Sequence, residues 1–215
     1  MIISPNNSVI INESAGICRI TFNRPKILNA INFDMAIALQ KVAEDISVDK
    51  KIRVVILDGS GDHFMAGGDI KSFKTFLDKK PKEENLRNHF EEILKIVHDF
   101  ISHLRAMPQP VIGAVKGAVA GAGVSLMLAC DLVLASEDAF FNLAYCHLGT
   151  SPDGGSTYAL PRTVGLKRAF EMAILGERFD AKVALETGMI NRIIPSAQLN
   201  KETDKLATRL AKGPP

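Results

Sequence analysis

Two short segments hold the residues best suited to chemistry: Pro110 to Ser136, PVIGAVKGAVAGAGVSLMLACDLVLAS, and Phe64 to Ile70, FMAGGDI. In each, small residues lead into a helix start; the first follows an apolar, strand-like run, and the second follows the strand ending at Asp58. Gly117, Gly121, Ala122 and Gly123 carry little or no side chain, so another group can approach the main chain closely, and the first N–H groups of the following helix have no partner within it. Such a helix start attracts partial negative charge. Two turns of this kind after two different strands can aim one N–H each at a single oxygen, which stabilises charge developing on a carbonyl. The same small residues also suit tight packing of two buried elements with no ligand between them. Asp69, heading the second helix, is placed to cap it as well as to do chemistry.

Nucleotide motifs fail at the first turn. A dinucleotide fingerprint needs a glycine where Leu126 stands, and a P-loop needs a Lys-Ser/Thr pair where Val124 and Ser125 stand. The fourteen uncharged residues from Gly117 to Cys130, bracketed by Lys116 and Asp131, are too few to span a bilayer and read as a buried core helix.

The elements that must position these turns follow from the hydrophobic pattern. Val9 to Asn12 and Ile17 to Phe22 alternate around Ser14-Ala15-Gly16 as hairpin strands do, and Phe33 to Val48 has helical spacing. Arg53 to Asp58 is an apolar run expected of a strand covered on both faces, followed by a loop to Gly68. From Glu83 to Arg105, Leu86, Phe90, Ile93, Val97, Phe100 and Leu104 lay one apolar stripe along a long helix, whereas Phe73 to Asn88 reads as a charged loop running into it. A strand at Val111 to Val115, the helix after Gly121 and a strand at Leu132 to Ala135 come next. Helices near Leu166 to Leu175 and Ala181 to Thr187 and a strand at Ile190 to Ile194 complete the pattern. Strands alternating with helices indicate an α/β fold with a mainly parallel sheet.

At 215 residues and 47% apolar composition the chain supports one sizeable domain. A net charge of +2 is too mild to imply nucleic acid, though it suits an anionic small molecule. Three cysteines, Cys18, Cys130 and Cys146, lack metal-ligand spacing and point to a reducing, cytoplasmic setting. The first residues, MIISPNNSV, carry no signal-peptide pattern, so no membrane partner is expected. No i, i+4 pair of histidines occurs among His63, His89, His103 and His147, so no metal site is expected.

FMAGGDI, ITFNRPKILNAIN, PVIGAVKGAVAGAG and LGTSPDGGSTYALPRTVG fall in the order of motifs found in the crotonase family, the enoyl-CoA hydratase/isomerase superfamily, which the chain resembles over essentially its whole length. The resemblance implies a crotonase-like core of repeated ββα units over residues 1–195 and the start of a C-terminal helical region over 196–215. Family members continue into further helices that cover the active site or a neighbour's, so the chain is expected to be C-terminally shortened. Also implied are a substrate carried as a coenzyme A thioester, no permanently bound cofactor, and assembly as a homotrimer or dimer of trimers.

By motif position, the amides holding the thioester oxygen of an enolate-like intermediate are those of Gly68 and Ala122. The family usually has glycine at the second, so the extra methyl of Ala122 narrows the acyl site. The turn from Arg24 to Ala30 resembles the CoA-contacting loop, with Lys26 for a phosphate and Ala30, Ala66, Asp69 and Ile70 beside the cofactor portion; a solvated surface lysine accounts equally for Lys26. The two glutamates of hydratases are replaced by Ser125 and Tyr145, neither of which is a carboxylate base. Asp153, in SPDGG, stands where related isomerases and a chlorobenzoyl-CoA dehalogenase carry an acid, and His98 matches that dehalogenase's histidine, with Tyr145 in place of a tryptophan. Residue type alone leaves Asp153 a turn former before Gly-Gly and His98 a structural histidine at the edge of a core face. The leading expectation is an acyl-CoA isomerase with Asp153 as proton shuttle. Hydration, hydrolysis or dehalogenation through an Asp153 ester, and CoA-thioester binding without turnover stay open.

Overall fold

In a computed structural model of the chain, which describes residues 1–214, nine strands and eight α-helices alternate. A hairpin of β1 (Val9–Ser14) and β2 (Ile17–Phe22) leads through a short turn to α1 (Phe33–Val48), then β3 (Val54–Gly59), α2 (Ile70–Leu77) and α3 (Glu83–Ala106). Two similar units follow: β4 (Val111–Val115), β5 (Ala118–Ala120) and α4 (Ala122–Ala129), then β6 (Leu132–Ser136), β7 (Phe140–Asn142) and α5 (Ser156–Val164). The chain continues through α6 (Leu166–Leu175), β8 (Phe179–Asp180), α7 (Ala181–Glu186), β9 (Arg192–Ile194) and α8 (Leu199–Ala211).

The larger sheet has the order β1-β2-β3-β4-β6-β9 and is parallel except for its β1 edge; a smaller sheet is ordered β5-β7-β8. The unbroken apolar run of β3 reflects cover on both faces. Val55 and Leu57 join the main core with α1, α3 and α4, while Val54 and Ile56 join a second layer with Leu199 and Ala207 of α8. Arg19 ties α8 down, pairing with Asp58 of β3 and, at 2.5 Å, with Asp204.

Local chemistry sets the helix starts. Asn32 caps α1 by accepting the Met35 N–H at 3.0 Å, and Met35, Leu39, Val42 and Ile46 then bury one stripe against the core. α4 is buried nearly all round, as its uncharged sequence implies. Two stretches differ from the sequence reading. The segment from Phe73 onward is helical in α2 rather than a charged loop, because Phe73 and Phe76 pack on Phe90 and His89 of α3, with centroids 5.3 and 3.9 Å apart. The SPDGG motif runs straight into α5, which carries Pro161 inside it.

Candidate active site

The two small-residue turns meet. After β3 the chain returns so that Phe64 donates to Lys116 O at 2.8 Å, Met65 donates to Ala118 O at 3.1 Å, and Ala120 donates back to Met65 O at 2.9 Å. Met65 thus acts as an extra strand residue beside β5. Gly123 permits this approach, since a Cβ there would lie 2.3 Å from Met65 O. On the other side, Ile31 donates to Gly67 O at 2.7 Å and accepts from the Asp69 N–H at 2.8 Å, so the Gly68 amide between them faces away from Ile31. Gly67 packs on Gly121, and a Cβ on Gly67 would be 3.5 Å from Ala122 N. Neither the Gly68 nor the Ala122 N–H donates to a protein acceptor among the described residues. Both residues line a cavity of about 570 Å³ walled by Ile31, Phe73, Phe90, Ile93 and Val97.

The cavity is also lined by Tyr145, in the turn after β7, and by Asp153, in the loop before α5. The Tyr145 hydroxyl donates to Asp153 Oδ1 at 2.6 Å and lies 3.2 Å from Ser125 Oγ of α4. Ser125 Oγ and Ser156 Oγ donate to the Asp153 main-chain carbonyl at 3.0 and 2.6 Å. Burial, reinforced by the Asp153 carboxylate beside it, pushes the Tyr145 phenol far above the ordinary tyrosine range. Tyr145 therefore keeps its proton at any physiological pH and serves Asp153 as a donor. Asp153 is the one carboxylate among the residues lining the cavity.

The remaining sequence candidates separate. Ala66 and Ile70 line the cavity; Ala30 is buried and outside the lining. Lys26 is exposed and outside the lining. Both Asp69 oxygens are engaged, one capping α2 through the Ser72 N–H at 3.1 Å and the other pairing with Arg24 at 2.8 Å. His98 is exposed and outside the lining, but its Nε2 accepts the Gly154 N–H at 3.2 Å.

Two residues of the Arg24–Ala30 turn have supporting roles that the sequence alone did not single out. Arg24 links Asp69 to Ala30 O at 2.6 Å. Asn29 is fully buried, accepts the Arg24 N–H at 2.8 Å and donates to Ser60 O and His63 O at 3.0 and 2.8 Å. It adopts φ 56°, a left-handed conformation that asparagine tolerates better than most residues, and that tolerance was the available signal.

Residues 12–215 match the sequence profile of the enoyl-CoA hydratase/isomerase family. The chain belongs to this family. Its relatives include a 1,2-epoxyphenylacetyl-CoA isomerase of Escherichia coli, 35% identical over 93% of this chain and 74% of the relative. A trans-2-decenoyl-[acyl-carrier-protein] isomerase of Streptococcus mutans is 29% identical over 95% of this chain and 76% of its own length. Among solved structures, an enoyl-CoA hydratase from Mycobacterium avium subsp. paratuberculosis superposes with a TM-score of 0.86 at 34% identity, covering 98% of this chain and 77% of that one. Enoyl-CoA hydratase/isomerase relatives thus include proteins named for both reactions, and the side chains around the cavity must distinguish them.

Proposed function

We propose that this enoyl-CoA hydratase/isomerase family member is an acyl-CoA isomerase: the Gly68 and Ala122 N–H groups hold the thioester oxygen, and Asp153 moves a proton between two carbons of the acyl group. The observation that carries this reading is the convergence of two unpartnered N–H groups and a single carboxylate on one largely apolar cavity. Asp153 takes a proton from carbon; the electron pair left behind passes through the conjugated system to the thioester oxygen, where each N–H contributes about 3 kcal/mol to the transition state. Returning the proton to a different carbon regenerates the carboxylate and shifts the double bond, with no other reactant consumed. Positioned proton transfer of this kind is worth roughly a 100- to 10,000-fold gain in rate. The Tyr145 hydroxyl steadies Asp153 Oδ1 and leaves Oδ2 for the substrate.

Hydration requires a group to activate water opposite the first acid, and Ser125 and Tyr145 supply no carboxylate for it. Substrate enters as a coenzyme A thioester, and the protein itself needs no resident cofactor. A reducing, cytoplasmic setting suits its free cysteines. Among the described residues, no helix is long and apolar enough to cross a membrane. The exposed apolar residues Leu166, Phe170 and Ile174 of α6 suit burial in a homotrimer.

Mass spectrometry and NMR of the products from a panel of enoyl-CoA thioesters test the reaction class. A product of unchanged mass with a displaced double bond is expected. Mass gain of one water would replace this reading with hydration, and release of free CoA would replace it with hydrolysis.

A further inference from the structure

The peptide joining Asp153 to Gly154 is held at both ends. Its carbonyl accepts from Ser125 Oγ of α4, from Ser156 Oγ, and from the Ser156 N–H at 3.0 Å. Its N–H, on the opposite side of the same plane, donates to His98 Nε2 of α3 at 3.2 Å. Gly154 is wedged between the same two helices: at φ 57°, a Cβ on it would meet Ser125 Cβ at 2.8 Å and Ile101 Cδ1 at 3.1 Å. α3 also supplies Ile93, Leu94 and Val97 to the cavity wall, so the helix offering the acceptor is registered against the acyl site itself.

We propose that His98 is a positioning residue: by accepting the Gly154 N–H it locks the Asp153–Gly154 peptide plane between α3 and α4 and so aims the Asp153 carboxylate into the cavity. This rests on the proton-shuttle reading of Asp153. It departs from the expectation that the His98 ring exchanges protons with substrate, because the ring lies outside the cavity and its Nε2 lone pair is taken up by the Gly154 N–H. A carboxylate misplaced by an ångström loses most of its effect, whereas the affinity set by the apolar wall and the two amides is unaffected.

Two variants at this exposed position separate the possibilities. His98→Gln retains an acceptor of similar reach, and His98→Leu removes it. With an enoyl-CoA substrate, His98→Leu should lose roughly tenfold to a hundredfold in kcat with KM within about twofold, and His98→Gln should recover to within about threefold of the parent. Equal impairment of both variants, or no kcat loss in His98→Leu, overturns the proposal. Amide hydrogen exchange at Gly154 by NMR is a readout independent of turnover. Protection should be kept in the parent and His98→Gln and lost in His98→Leu; unchanged protection in His98→Leu overturns the clamp. A parent protein that clamps Gly154 but processes no thioester would overturn the reaction class while leaving the His98 contact intact.

Discussion

At the scale of single residues, the proposed chemistry divides between main-chain donors and one carboxylate. Ala122 is the first helical residue of α4, the position where proline is tolerated because its N–H has no intrahelical partner. Ala122→Pro therefore removes the proposed donor while leaving the helix in place. We expect kcat to fall about a hundredfold to a thousandfold with a small change in Tm, measured by steady-state kinetics and thermal unfolding. The two small-residue turns were legible in the sequence because glycine and alanine cluster just before a helix start in each, a pattern that serves close packing as well as ligand approach. Ser125 and Tyr145 could be placed only by resemblance; nothing in their types foretold that both would converge on Asp153, since that contact joins residues separated by β6, β7 and a turn. Asn29 was passed over because a buried asparagine knot and a surface turn look alike along the chain.

At the scale of elements, Phe33–Val48, Val111–Val115 and Leu166–Leu175 carry the bounds that the hydrophobic pattern predicts: the first buries one stripe, the second is buried throughout, and the third buries Ala169 and Met172. β5 and β7 are three residues each, too short to show alternation, and exist because Met65 and β8 pair beside them. α5 was hidden by its glycine start and by Pro161, both ordinarily read as loop signals. A tight joint lies between the Phe64–Met65 segment and α4. Gly123→Ala would normally favour a helix, but a Cβ 2.3 Å from Met65 O must push the two turns apart. We expect it to destabilise the protein by about 2 kcal/mol, read from urea unfolding, and to lower kcat through displacement of the Ala122 amide.

At the scale of the whole molecule, the β2 and α4 ends of the main core bury two thiols. Burial, aided by the charges of Glu13 and Asp49, pushes Cys18 up to about 12, and burial raises Cys130 as well. Below the ordinary thiol range both states keep their protons and the full stability is present. As pH rises toward the folded value, the unfolded chain has lost protons that the folded chain retains, so stability falls by about 1.4 kcal/mol per pH unit for each thiol. Urea midpoints measured above pH 9 should decline less steeply in Cys18→Val than in the parent. The same core packs β3, β4 and α4 so that two amides and Asp153 line one cavity, where the proposed reaction forms and discharges an enolate on a CoA thioester. Incubation of an enoyl-CoA with the protein in deuterated water, followed by mass spectrometry of the acyl chain, tests it most directly. Deuterium should enter the acyl carbons with the parent protein and stop entering with Asp153→Asn; equal incorporation by both proteins, or none by the parent across a broad thioester panel, would contradict it.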